Sequence, residues 1–135
     1  MQFGLFYEHQ SPAPFTAEGD HRIFQNALSE LELADSLGYD YAWLVEHHFL
    51  EEYSHSSAPE VFLGALTQRT KRMRLGHGIC VMPPQINHPA RVAERIASLD
   101  LLSGGRIDWG TGESGTAMEL HGFGVDVDRK KDMWR

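Results

Sequence analysis

Apolar residues along this chain follow two rhythms that take turns. Short runs with little or no polar interruption occupy residues 2–7, the first half of 41–49, 75–82 and 107–110. Runs of that length, rich in aromatic and β-branched residues and bounded by glycine, proline or polar clusters, predict buried strands. Between them, apolar positions recur every three or four residues. Ile23, Phe24, Ala27, Leu28, Leu31, Ala34 and Leu37 form one such face, Val61, Phe62, Ala65 and Leu66 a second, and Val92, Ile96, Leu99 and Leu102 a third. Each predicts a helix with one buried side. The punctuation agrees. Asp20 is placed to cap the first helix, and Gly38 suits the left-handed residue that closes it. Ser57 precedes Pro59 at the second helix, and Lys71, Arg72 and Arg74 near its end complement its dipole. Pro83-Pro84 stops the third strand. Asn87 or His88 caps the third helix, with Pro89 in its first turn, and Ser103-Gly104-Gly105 ends it.

The order is therefore β-α-β-α-β-α-β. Strands alternating with single helices imply an α/β fold with a parallel sheet and right-handed crossovers. Each βα unit takes roughly thirty-five residues, about one-eighth of a (β/α)8 TIM barrel, so four strands make an N-terminal half. Asp128 to Arg135 reads as the first turns of a further helix, capped by Asp128 and lacking a closing signal. The expectation is a truncated barrel portion spanning 1–135 that ends within a helix. The competing architecture is a small open α/β sheet. Two bare parallel edge strands weigh against a free-standing half barrel.

Composition narrows the partners. The formal net charge is -7, with no lysine-rich or arginine-rich run, which disfavours nucleic acid and anionic membrane. The single cysteine, Cys80, excludes an internal disulfide framework. No signal peptide or membrane-length apolar run is visible, so a cytoplasmic location is expected.

Candidate chemistry collects where strands end. Glu46, His47 and His48 follow the apolar run at Tyr41. A histidine near neutral pKa can act as a base, and Glu46 can orient an imidazole. Side chains alternate along a strand, so the two histidines should face opposite ways, which argues against both binding one metal. Gly76, His77, Gly78 and Ile79 put glycines inside a strand, a sign of a bulge or of close approach by another group. Gly110, Gly112 and Ser114 belong to a glycine-rich stretch whose backbone N–H groups can face a phosphate or oxyanion. That stretch lacks the lysine of a P-loop and the full dinucleotide fingerprint. His9 and Gln10 are weaker candidates for lining a pocket, His88 reads as a helix cap, and Cys80 as a small core residue.

Taken together these motifs resemble one family. Trp43-Leu-Val-Glu-His-His-Phe49, Leu75-Gly-His-Gly-Ile-Cys-Val-Met-Pro83 with His88-Pro-Ala-Arg-Val-Ala-Glu94, Leu99-Asp-Leu-Leu-Ser-Gly-Gly-Arg106, Phe123-Gly124 and Met133-Trp134 follow, in order, the pattern of the bacterial-luciferase-like flavin-dependent monooxygenases. The resemblance implies the N-terminal portion of a (β/α)8 barrel that binds reduced FMN, or a deazaflavin, at the carboxyl ends of its strands. It implies insertion of one atom of O2 into a small organic substrate, a separate flavin reductase as electron source, and a homo- or hetero-dimer. It makes His47 the catalytic histidine and His48 its support. A non-prolyl cis peptide is often found in the family at the place of Gly78-Ile79, where the tricyclic ring stacks. The chain departs from the luciferases at two positions. Gly112 stands where they carry a reactive cysteine, and Glu113 where they carry an arginine toward the phosphate. A carboxylate there repels phosphate, which leaves deazaflavin use open and light emission in doubt.

Two other classes compete with this oxidoreductase. Eight histidines raise a metal-dependent barrel hydrolase, but neither a His-Glu-x-x-His helix nor a His-x-His strand pair is present. The third class is a non-catalytic fragment or pairing subunit.

Overall fold

A computed structural model describes residues 1–135. Four strands, β1 (Gly4–Tyr7), β2 (Tyr41–Leu44), β3 (Arg74–Val81) and β4 (Ile107–Gly112), alternate with α1 (Ala17–Leu37), α2 (Pro59–Arg69) and α3 (Pro89–Ser103). Two short helices follow, α4 (Ala117–Gly122) and α5 (Lys130–Trp134). The strands form one sheet in the order β1-β2-β3-β4, and every neighbouring pair is parallel. The β3–β4 register shifts between His77 and Cys80.

The three long helices cover one face of the sheet. Leu31, Leu44, Leu63, Leu66, Met73 and Leu75 are completely buried between them. Each such side chain contributes roughly 2 kcal/mol through the water it sheds. Alternation along the strands then leaves Gly4, Phe6, Tyr41, Trp43, Gly76 and Gly78 on the other face, which no helix covers. Phe6 there is 59% exposed.

The helix periods hold, but their phase and caps differ from expectation. Leu37, Val61 and Leu102 are exposed, because burial in α2 follows Pro59, Phe62, Leu63, Leu66 and Thr67, and in α3 follows Val92, Leu99 and Ser103. Thr16, not Asp20, caps α1 by accepting the Gly19 N–H at 3.0 Å. Asp20 instead meets His55 and Ser11 across the loop. Ala58 rather than Ser57 precedes α2, with no side-chain cap. His88 caps α3 as expected. Arg129 rather than Asp128 precedes α5. Gly38 (φ 95°) and Gly104 (φ 71°) take the left-handed conformation that closes α1 and α3. β2 stops at Leu44, and β4 runs on through Thr111 and Gly112, into the stretch expected to be a loop.

Two polar side chains fix the turn between α2 and β3. Asp35 accepts the backbone N–H groups of Lys71, Arg72 and Met73, fixing the turn before β3. Burial opposes its charge, but those three bonds outweigh it and hold its carboxyl below the usual range. Arg106 donates to the carbonyls of Thr67, Thr70, Met73 and Ser103 and to the Thr70 hydroxyl. It thereby satisfies carbonyls that the end of α2 leaves open.

His9 is a different case. It is 3% exposed, takes φ 52°, and lies between Phe24 and Phe62 with ring centroids 4.6 Å from each. Neither ring nitrogen has a partner. It belongs to the layer beneath α1 and α2, and together with Gln10 it also lines a cavity between the end of β1 and α1.

Two outcomes follow for stability in the intact protein. Arg106→Met should lower unfolding free energy by about 2–3 kcal/mol, because several carbonyls lose their donor at once; urea denaturation measures it. For His9, burial holds the ring neutral, down to about 4 in the folded state. The unfolded ring takes up its proton near pH 6.5, so stability should fall as the pH drops from 6.5 through 4, by roughly 3 kcal/mol at most. His9→Phe should flatten that slope in thermal melts taken between pH 4 and 7.

Candidate active site

The carboxyl ends of β1, β2 and β4 converge with the loop after β2 and with α4. Because β2 ends at Leu44, Glu46, His47 and His48 lie beyond the strand. Their backbone is fixed from outside: the His47 N–H donates to the Ser56 carbonyl at 3.0 Å, and the Ser56 hydroxyl donates to the Val45 carbonyl at 2.7 Å. The histidines do face different ways, as expected, each toward its own carboxylate.

His47 faces Glu119. Its Nδ1 lies 2.9 Å from Glu119 Oε1, and its side chain is 23% exposed. The same oxygen accepts the His48 backbone N–H at 2.8 Å, and Oε2 accepts the Ser114 hydroxyl at 2.7 Å. Glu119 itself is 1% exposed. Burial works against its charge, but the hydrogen bonds from His47, Ser114 and His48 prevail and hold its carboxyl down to about 2. The reciprocal effect raises the His47 pKa. The bond to Glu119 is its main cause, burial opposes it, and the charges of Glu119, Glu8 and Glu46 add to it. The edge of Tyr53 closes one side of the imidazole, with centroids 5.2 Å apart.

His48 faces Glu46. Glu46 Oε1 lies 3.0 Å from His48 Nε2 and accepts from Asn87 at 2.6 Å, while Oε2 accepts the Val81 N–H at 2.8 Å. Arg95 holds Asn87 from behind at 2.6 Å and pairs with Glu60. Phe123 packs edge-on against His48, at 4.8 Å. Glu46 therefore orients His48 and ties the end of β2 to the end of β3; it does not touch His47.

The strand glycines fit tightly within the sheet. A Cβ on Gly76 would lie 2.4 Å from the Trp43 ring, one on Gly110 would lie 2.6 Å from the His77 carbonyl oxygen, and one on Gly112 would lie 2.6 Å from Ile79. Their small size is accounted for by packing within the sheet. Gly78 sits beside Phe6, and the Gly78–Ile79 peptide is cis. The sequence groups His77 with these glycines, but the structure separates them. It is 2% exposed, alternation turns it toward the helices, and burial lowers its pKa. His77 is thus away from the open face, a correction to its place among cofactor-holding residues. The Ser114 hydroxyl donates to Glu119. Glu113 is not left facing an anion alone: Lys130 Nζ lies 3.7 Å from it and donates to the Ser114 carbonyl at 2.6 Å.

Glu119 and Lys130 are the residues that sequence reasoning missed. Glu119 lies 72 residues from His47, on a six-residue helix too short for a periodic signal. Phe49 brings α4 into place, packing against Gly122 where a Cβ would be 2.3 Å from its ring. No group of three or more His, Cys, Asp or Glu side chains is arranged to hold a metal ion.

Comparison with known proteins gives the family and the fold. The family model described as luciferase-like monooxygenase matches residues 1–135. Limonene 1,2-monooxygenase of Rhodococcus erythropolis is 37% identical over 134 residues, 98% of this chain and 33% of that protein. 4-Hydroxyprotoasukamycin monooxygenase of Streptomyces nodosus subsp. asukaensis is 39% identical over 72% of this chain and 26% of its own length. The crystal structure of monooxygenase RslO1 from Streptomyces bottropensis superimposes with a TM-score of 0.87 at 34% identity, covering 99% of this chain and 40% of that one. The oxygenating constituent of 3,6-diketocamphane monooxygenase from Pseudomonas putida, solved with FMN, shares the fold at a TM-score of 0.89 and 23% identity; the match covers 100% of this chain and 36% of that one. The chain spans about a third of the length of these proteins. On the family match along its whole length, this chain belongs to the luciferase-like monooxygenases.

Proposed function

We propose that the protein carrying this chain is a flavin-dependent monooxygenase that uses reduced FMN and O2 on a small organic substrate. The observation that carries this reading is the His47–Glu119 pair. It sets a partly exposed imidazole on a buried carboxylate at the carboxyl end of a parallel sheet, beside an open aromatic face. Active sites in α/β barrels collect at that end.

The residues present fit one side of a flat tricyclic ring. Phe6, exposed by 59%, and Trp43, lying across Gly76, offer an apolar shelf next to the cis Gly78–Ile79 peptide. Lys130, near the glycine-rich stretch, supplies a cation at its border. When bound, reduced FMN supplies the electrons that activate O2. His47 handles a proton at Nε2, and Glu119 fixes its orientation through Nδ1. Glu46 and His48 hold the ends of β2 and β3 in register, and Phe6 and Trp43 give the tricyclic ring an apolar surface to lie on. A separate flavin reductase is the expected electron source. A deazaflavin in place of FMN is the second reading. An F420-dependent secondary alcohol dehydrogenase solved with an F420-acetone adduct has a TM-score of 0.74 and 25% identity to this chain, and Gly112 and Glu113 depart from the luciferase pattern.

Fluorescence titration of the intact protein with reduced FMN, FMN and a deazaflavin, kept anaerobic, should show saturable binding of reduced FMN. Binding of the deazaflavin alone would shift the assignment to the second reading, and binding of none would end both. His47→Gln should retain flavin binding but lower turnover by on the order of a hundredfold, the lower range for a lost acid–base group. Glu119→Gln removes the largest contribution to the raised His47 pKa, so the pH limb set by His47 in kcat/KM should move to lower pH.

A further inference from the structure

His47 is flanked by carboxylates at both ring nitrogens. Glu119 Oε1 is 2.9 Å from Nδ1, and Glu8 Oε2, at the end of β1, is 3.7 Å from Nε2. That Glu8 oxygen is shut off from solvent and has no hydrogen-bond donor of its own. The other Glu8 oxygen accepts from Tyr53 at 3.4 Å, and the Glu8 carbonyl accepts the Ser54 hydroxyl at 2.6 Å. The carboxylate is therefore tethered beside the imidazole.

A neutral imidazole has one N–H and one lone pair. With Nδ1–H directed to Glu119, a neutral His47 would turn its Nε2 lone pair toward the lone pairs of Glu8. Only the imidazolium presents a hydrogen to each carboxylate. We propose that Glu8 is a second positioning residue for His47, clamping the ring from the Nε2 side so that it rests as a proton donor rather than as the free base. The inference builds on the flavin-dependent reading of this site. In the step it describes, the Nε2–H bond breaks and the proton moves to an oxygen or nitrogen of the bound reactants. His47 is left neutral, with Nδ1–H still on Glu119, and both carboxylates stay ionised. Solvent then returns the proton. The groups acting on the ring from its surroundings are Glu8 from β1, Glu46 from the end of β2, Tyr53 from the following loop and Glu119 from α4.

The test reads the ring directly. In flavin-free intact protein with 15N-labelled histidine, long-range 1H–15N spectra should show both His47 nitrogens protonated at pH 7; His47→Gln identifies the signals. In Glu8→Gln the titration midpoint should fall by about half to one pH unit, as expected when an opposite charge some 4 Å away is removed. Glu8→Leu should move it the same way, and circular dichroism of each variant checks the fold. A wild-type ring lacking its Nε2 proton at pH 7 would overturn the proposal without any variant. A midpoint unchanged in both folded variants would do so as well. Because the readout needs no turnover, a shifted midpoint in a protein that binds no flavin would overturn the functional reading and leave the clamp standing. In an active enzyme, Glu8→Gln should move the alkaline limb of kcat/KM to lower pH by the same amount, a displacement that a merely structural residue would not cause.

Discussion

A buried negative charge governs the upper end of this sheet. Moving an ionised carboxylate out of water costs several kcal/mol unless donors surround it. Glu119 meets that requirement with three donors from two segments: the His47 ring and His48 backbone after β2, and the Ser114 hydroxyl after β4. The loop after β2 and the end of β4 are far apart in sequence. They meet because parallel strands deliver all their carboxyl ends to one side. The fold thus makes the charge tolerable, and the charge in turn fixes α4 and the ends of β2 and β4 relative to one another. Glu46 repeats the arrangement one strand further in, joining β2 to β3 through Val81, Asn87 and His48.

These two carboxylates divide the work of two adjacent histidines. Had β2 continued to His48, pleating alone would have set the ring directions. Since the strand ends at Leu44, direction is set by partners instead. His48 is drawn inward to Glu46 and packs on Phe123, where it serves the architecture. His47 keeps a partly exposed ring with a charged neighbour behind it. Two imidazoles with different partners and different exposure can therefore sit side by side in sequence without competing for one site.

Much of this was legible in the residues. The alternation of strand and helix, the three long helices, their glycine closures and the parallel sheet all follow from periodicity and punctuation, because those are local properties. The Leu99–Arg106 run acquires a physical meaning: Gly104 closes α3, and Arg106 caps the carbonyls left by α2. Helix phase was less legible. Val61 and Phe62 are both apolar, and only the position of the sheet decides which turns inward. Long-range polar contacts were not legible at all. Nothing near Glu119 announces a partner 72 residues away, and a helix of six residues has no period to read. The strand glycines illustrate a third limit. Sequence alone shows that a side chain is missing, but not whether a ligand or Trp43 fills the space.

The same reasoning changes the meaning of Glu113. By itself, a carboxylate in a glycine-rich stretch argues against an anion there, since like charges repel. In the structure Lys130 lies 3.7 Å from that carboxylate and donates to the Ser114 carbonyl. The stretch therefore carries its own counter-charge, delivered from α5. An anion approaching it meets a neutralised pair with an ammonium group at its edge rather than a bare carboxylate. The negative charge of Glu113 is no longer an isolated one at this end of the sheet. The carboxylate that departs from the luciferase pattern is thus offset by a cation from a different element.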